Sequence, residues 1–444
     1  MIPRMRAIAI DDQQEHLHAI HKAATSAGFG CVPLLYPGQT NSEHLQKLEF
    51  RHAHVRIIIS DLHLNATSET SDVSASYAII GGLIKFIGLA KWTPYALVLW
   101  TSYPDQVAGL QKYLEERLSL DLMPGLLFGL DKADYGIPSG PIDHKKLLED
   151  LRDKVAGSRG LNVLFQWEKE LIQAADNVVR KLLKAARNNK NKSIQIDVDA
   201  EIDRVLSLIA QTATSNEFAS NEPRVAANEG LLPLLTDEME HLDPGTVNLN
   251  HWKSAMNQAV EKNKISPTSM EAAVLNDALH ISRDGTANGS DRGAVVTSWH
   301  TDESFKTIFG IDKNDAGFKD IFGLEIWPSN ASIKYVQIEG LCDSTQKKAG
   351  VVPFVLACEV LGDSKLKGKC VSASVETSPI YLDDKEENKE LKLIVNLRYF
   401  FTSERSDAKT HQADFRLRES LINKWAFAWA KHAIRPGTVE FHTK

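Results

Sequence analysis

Acids, a hydroxyl and a lysine recur directly after apolar runs in the first third of this chain. Val55-Arg56-Ile57-Ile58-Ile59-Ser60 ends in Asp61, and Arg6-Ala7-Ile8-Ala9-Ile10 is followed by Asp11 and Asp12. Tyr95-Ala96-Leu97-Val98-Leu99-Trp100 leads into Thr101 and Ser102, and Leu126-Leu127-Phe128-Gly129-Leu130 into Asp131 and Lys132. Three carboxylates brought together repel one another unless a cation joins them. An all-oxygen set suits Mg²⁺, which keeps several waters and takes one or two carboxylates together with phosphate oxygens. With a cation bound, a carboxylate can attack a phosphoryl group. The charge on the transferring oxygens is then met by cation, lysine and hydrogen-bond donors. Taken singly, each position has a plainer use, because Asp, Ser and Thr after a strand often cap the next helix.

The elements that must position these residues read as follows. Three successive β-branched residues, Ile57 to Ile59, predict a strand buried on both faces, as in a parallel sheet under helices. Ligands of such sheets bind at the carboxyl ends of the strands. Residues 13–27 place Leu17, Ile20, Ala23 and Ala24 at helical spacing, and Gly28 and Gly30 would end that helix. Cys31 to Leu35 reads as a second strand, although Pro33 weakens the reading. Helical segments follow at 41–50, 78–87, 104–119 and 143–156. The expectation is a doubly wound α/β domain of five β/α units.

An acid pair, a single acid, a hydroxyl and a lysine, in that order at successive strand ends, resemble the receiver domain of two-component signalling. The likeness covers roughly the first 150 residues and implies a flavodoxin-like fold. It further implies that Asp61 accepts a phosphoryl group, that Asp11, Asp12 and Asp61 hold Mg²⁺, that Thr101 donates to one phosphoryl oxygen and that Lys132 pairs with another. A histidine kinase would be the partner. Three departures stand out: Ala133 where the family usually has proline, Ser102 where it has a smaller residue, and a longer loop over 63–72.

A chain of 444 residues predicts two or three domains. The expected division is a receiver-like domain at 1–156, a helical linker at 157–216, and an α+β domain at 217–444 that is β-rich from about 330. Residues 161–188 read as one long helix with a basic end, and 198–212 as another. Short helices and polar loops are expected over 213–290. Four later runs read as strands of a barrel-like or sandwich-like sheet: Ile333 to Ile338, Val351 to Ala357, Cys370 to Val375 and Leu391 to Phe401. A closing helix is expected over 414–432, with Phe415, Leu417, Leu421, Trp425 and Trp429.

Apolar content of 43% and charged content of 25% are ordinary for a globular protein. A net charge of −7 offers no global attraction to nucleic acid, and no helix-turn-helix is evident, so DNA is not an expected partner. No apolar run reaches the ~18–20 residues that span a bilayer, which points to a cytoplasmic protein with no membrane partner. The cysteines, Cys31, Cys342, Cys358 and Cys370, form no Cys-x-x-Cys pair. A zinc site of the last three with His300 competes with the reading of Cys358 as a small buried hydrophobe.

Glu339-Gly340-Leu341-Cys342-Asp343-Ser344 and Phe415-Arg416-Leu417-Arg418-Glu419-Ser420, followed by Arg435-Pro436-Gly437, resemble a β-barrel module that accompanies receiver-like domains in anti-phage gene clusters. The combined resemblance is to the stand-alone receiver of Detocs-type defence systems. It implies a buffer that takes up stray phosphoryl groups, beside a sister response regulator that carries the effector. Two other readings stay open: a receiver-gated effector acting on RNA, and an adaptor that is not phosphorylated.

Overall fold

The computed structural model describes residues 7–26, 30–36, 55–64, 73–137, 142–187, 198–242, 249–262, 265–283, 285–297, 299–312, 314–340, 343–344, 350–367, 374–383 and 389–433. The chain divides into two compact units, residues 1–176 with 239–263, and residues 177–238 with 264–444. The expected helix at 41–50, the loop at 65–72, Cys342, Cys370 and the Arg435-Pro436-Gly437 signature lie outside the described residues.

In the first unit the elements run β1 (Ala7–Asp11), α1 (Gln14–Ser26), β2 (Cys31–Leu35), β3 (Ile57–Asp61), α2 (Val73–Ile87), β4 (Ala96–Thr101), α3 (Val107–Arg117), β5 (Leu126–Asp131) and α4 (His144–Gly157). All strand pairs are parallel, in the order β2-β1-β3-β4-β5. Alternate residues point to opposite faces. Ile8, Ile10, Ile58, Leu97 and Leu99 pack with Ile80, Leu83 and Ile84 of α2 and Leu110 and Leu114 of α3. Ala7, Ala9, Ile57, Ile59, Val98 and Trp100 pack with Leu17 and Ile20 of α1 and Leu147 and Leu151 of α4. The central strands β1, β3 and β4 are therefore buried along their whole length. Each fully buried Ile or Leu contributes roughly 1.5–3 kcal/mol, which makes this sheet a stiff base for whatever its strand ends carry. Pro33 is tolerated because, among the described strands, β2 pairs only with β1 and sits at the sheet edge.

A long helix, α5 (Arg159–Arg187), follows α4 almost directly. Within the first unit its start is held against the sheet. A Cβ on Gly125 would lie 3.2 Å from the Leu161 side chain, so glycine permits the close approach. Arg56, one residue before β3, pairs with Glu168 at 2.9 Å.

Helices α6 (Val198–Ala213), α7 (Asn216–Asn221), α8 (Pro223–Glu240), α9 (Leu249–Ala255), α10 (Asn257–Val260) and α11 (Ser269–His280) come next. Beyond them lie β6 (Ile281–Ser282), β7 (Ala294–Thr297), α12 (Asp302–Phe309), α13 (Asp315–Ile321), β8 (Ser332–Gln337), β9 (Val351–Leu361), β10 (Val375–Thr377), β11 (Tyr381–Leu382), β12 (Glu390–Glu404), α14 (Arg405–Ala408), β13 (Phe415–Leu417) and α15 (Glu419–Ala433). The β-rich part is a curled antiparallel sheet in the order β10-β12-β9-β8-β7-β13-β6, with β11 on β12. Among the described strands that order runs open from β10 to β6. Both faces are covered. Val336, Val355, Leu393 and Val395 lie under Leu421, Ile422 and Trp425 of α15, and Tyr335, Phe354, Leu356 and Cys358 lie under Phe305 and Phe309 of α12 and Phe318 of α13. Gly293, with φ +79°, lets the chain enter β7 beside β13, where a Cβ would fall 2.5 Å from the Leu417 carbonyl.

The closing helix departs from expectation. Phe415 and Leu417 belong to strand β13, where Arg416 pairs with Ala294 and Ser282, and the helix starts only at Glu419. Their spacing of two puts both side chains on one sheet face, and the spacing of four over Leu421, Trp425 and Trp429 belongs to the helix. No helix among the described residues is long and apolar enough to cross a membrane.

Candidate functional site

The carboxyl ends of β1, β3 and β5 bring together Asp11, Asp12, Asp61 and Lys132, and Thr101 ends the neighbouring strand β4. Each strand end closes the same small turn, accepting from the backbone N–H two residues on. Gln13 N donates to Asp11 Oδ1 at 2.8 Å, His63 N to Asp61 Oδ1 at 3.3 Å, Tyr103 N to Thr101 Oγ1 at 3.1 Å and Ala133 N to Asp131 Oδ1 at 2.9 Å. These contacts are the cap-like use of Asp and Thr after strands. They occupy only one oxygen of each acid. The Oδ2 atoms of Asp61 and Asp11 turn to a single ammonium, Lys132 Nζ, at 2.8 Å and 3.4 Å.

Asp12 completes the group, and the carboxylate oxygens of Asp11, Asp12 and Asp61 lie within 4.8 Å of one another. Three carboxylates this close repel one another unless a cation joins them. A divalent cation would do so, and an all-oxygen donor set suits a hard ion. The residues present thus fit a divalent metal, held by Asp11, Asp12 and Asp61. Among the described residues this is the one cluster of three or more His, Cys, Asp or Glu side chains with that closeness.

Burial by itself pushes the Asp11 carboxyl up, but the His16 contact, the Lys132 charge and the Gln13 amide together carry it below the ordinary aspartate value. Asp61, Lys132 and Asp12 line a cleft of about 460 Å³ together with His16, His63, Ser102 and Tyr103. Thr101 is fully buried and, unlike Ser102, is not among the residues that line this cleft. Its contact with Tyr103 uses the acceptor side of the hydroxyl and leaves the O–H as donor. Trp100, which a position next to Thr101 would place beside the cleft, points instead into the core against Tyr135, ring centroids 5.1 Å apart.

Two histidines of the site went unused in the sequence reading. His63 lies two residues past Asp61. Its Nε2 meets Gln106 Oε1 at 2.8 Å and its Nδ1 meets Ser76 Oγ at 3.1 Å. Tyr77 donates to the Gln106 carbonyl at 2.8 Å, so the loops after β3 and β4 are laced to α2. His16 stands in the first turn of α1, with Nδ1 3.3 Å from Lys132 Nζ. A first-turn side chain leans back toward the strand end that precedes it, and that was the available signal.

Of the cysteine and His300 candidates, Cys342 and Cys370 lie outside the described residues. Cys358 is fully buried in β9, where burial pushes its thiol well up, and Cys31 in β2 is pushed up to about 12 by burial. His300 sits edge-on to Phe401 and Tyr335, at 4.7 and 5.2 Å between ring centroids.

Comparison with protein-family models, curated proteins and solved structures finds no significant match to this chain.

Proposed function

We propose that the chain is a phosphoryl acceptor of the receiver type, with Asp61 as the residue modified. One observation carries this reading: Lys132 Nζ lies 2.8 Å from Asp61 Oδ2 at the cleft, within a cluster of three carboxylates. The strand order β2-β1-β3-β4-β5 is that of flavodoxin-like doubly wound domains, whose ligands lie at the carboxyl ends of the strands. A bound Mg²⁺ would supply charge neutralisation between the acids and the incoming phosphoryl oxygens.

The chain's own groups take the following parts. An Asp61 carboxylate oxygen attacks phosphorus in a donor such as a phosphohistidine of a partner kinase. The new P–O bond replaces the P–N bond, and the leaving imidazole carries off the electron pair and takes a proton from water. Lys132 moves its hydrogen bond from the carboxylate to a phosphoryl oxygen, and Thr101 donates to another. The biological setting we infer is anti-phage defence, with this chain holding phosphoryl groups as a buffer or regulator beside a sister response regulator. Incubation of the full chain with Mg²⁺ and acetyl phosphate, or with a cognate kinase and ATP, should label wild type on Asp61 and leave Asp61→Ala unlabelled. Equal labelling of the two proteins would remove the proposal.

A further inference from the structure

His16 lines the cleft, and its ring reaches the Lys132 ammonium beside the acids. Its Nδ1 lies 3.3 Å from Lys132 Nζ and 3.7 Å from Asp11 Oδ1. An ammonium donates and cannot accept, so with the ring proton on Nε2 the Nδ1 lone pair receives a lysine N–H, whereas a proton on Nδ1 would turn to Asp11 Oδ1 instead. The other two N–H bonds of Nζ have Asp61 Oδ2 at 2.8 Å and Asp11 Oδ2 at 3.4 Å. Three acceptors thus use three donors. The ring is anchored in turn, because α1 buries Leu17 and Ile20 directly after it. Lysine is a point charge on a flexible stem, and two acids alone would let it slide between them. A third carboxylate in the place of His16 would draw the ammonium away from Asp61, whereas a ring nitrogen accepts from it without adding a negative charge.

We infer that His16 is a positioning residue that takes the third N–H of Lys132 and so fixes the ammonium beside the oxygen of Asp61. Its consequence for rate rests on the phosphoryl-acceptor reading, but the contact itself does not. The test uses the full chain as wild type, His16→Ala and His16→Asn, the last returning an acceptor oxygen, with circular dichroism to check folding. Two quantities are read. One is the rate of Asp61 labelling across acetyl phosphate concentrations with Mg²⁺. The other is the Lys132 ammonium signal in protein carrying ¹⁵N-lysine, assigned with Lys132→Arg.

His16→Ala should lower the maximal labelling rate about tenfold, the worth of one hydrogen bond to a charged group, with half-saturation by the donor unchanged. It should also move the Lys132 signal, and His16→Asn should recover most of both. An unmoved Lys132 signal overturns the inference, and so does a wild-type labelling rate in His16→Ala. If wild type itself takes no label, the acceptor reading fails, and the Lys132 signal still decides the contact: movement in His16→Ala upholds it and no movement ends it.

Discussion

Lys132 in the first unit and Lys334 in the second are both buried ammonium groups between acids, with side chains 5% and 9% exposed. Lys334 Nζ meets Thr297 Oγ1 at 2.7 Å, Asp414 Oδ2 at 2.8 Å and Glu359 Oε2 at 3.3 Å. Tyr381 donates to the other Glu359 oxygen at 2.6 Å. The two nests are alike in donors and distances, and they differ in two respects. Lys334 sits within β8, opposite Thr297 of β7 and Ala357 of β9, so neighbouring strands fix its surroundings on both sides. Lys132 follows the end of β5, where the ladder stops and a cleft begins. In addition, Asp12 brings a third carboxylate to Lys132, whereas Lys334 faces two. A buried lysine with acids is therefore not yet a site. Position at a strand end and a third carboxylate are what set the Lys132 nest apart.

The largest expected effect tests that distinction directly. Lys334→Ala leaves Glu359 and Asp414 without their cation and should cost about 3 kcal/mol or more, equally with Mg²⁺ and with EDTA. Lys132→Ala should cost a similar amount in EDTA, but Mg²⁺ should restore much of it, since a cation can take the place of the lost ammonium. Urea unfolding of both variants in both buffers reads the difference. A Lys334 variant that Mg²⁺ rescues as fully would erase the contrast. Next in size is the cation itself: Mg²⁺ at a hundred times its dissociation constant should stabilise wild type by about 2.7 kcal/mol. Asp12→Asn should lose most of that gain, as a thermal melt with and without Mg²⁺ would show.

The first nest was legible in the sequence and the second was not. Runs such as Ile57 to Ile59 that stop abruptly at Asp61 mark both a buried strand and its end, and parallel strand order then carries Asp11, Asp61, Thr101 and Lys132 to one edge. Lys334, Glu359, Thr297 and Asp414 meet only through the register of antiparallel strands separated by long connections. No local pattern encodes that register. His16 and His63 were missed for a related reason, because the rotation of α1 and the path of the loop after β3 are set by packing. The strand at Phe415 to Leu417 left a trace, the change from a spacing of two to a spacing of four, which a single helical reading passed over.

Acid separates the units by sign. In the first, Asp11 is held below its ordinary value despite burial. Its stabilising contribution is present above the unfolded value, about 3.9, and is lost as pH falls through the lower folded value. In the second, burial raises Glu339 above its ordinary value, although the Arg405 charge and bonds from Arg405 and Gln337 pull it down. Between the unfolded value, about 4.3, and that raised value the folded form binds the extra proton. Glu339 therefore costs stability as pH rises through that window and returns it on acidification. Urea midpoints measured from neutral pH downward should show Asp11→Asn flattening the limb below about pH 4 and Glu339→Gln flattening the slope above it. Identical profiles for the two variants would contradict the assignment.

The smallest effect calibrates the others. Arg56 and Glu168 form an ion pair at 2.9 Å, with side chains 16% and 18% exposed, where α5 meets the strand that leads to Asp61. Neither side chain is enclosed as Lys132 and Lys334 are, so water screens the pair and the loss on breaking it is small. A double-mutant cycle with Arg56→Ala and Glu168→Ala should give a coupling of about 0.5–1 kcal/mol, reduced by added salt. A coupling of several kcal/mol would mean that exposure does not separate strong from weak charge pairs in this protein, and the large losses expected for the two buried lysines would then need another cause.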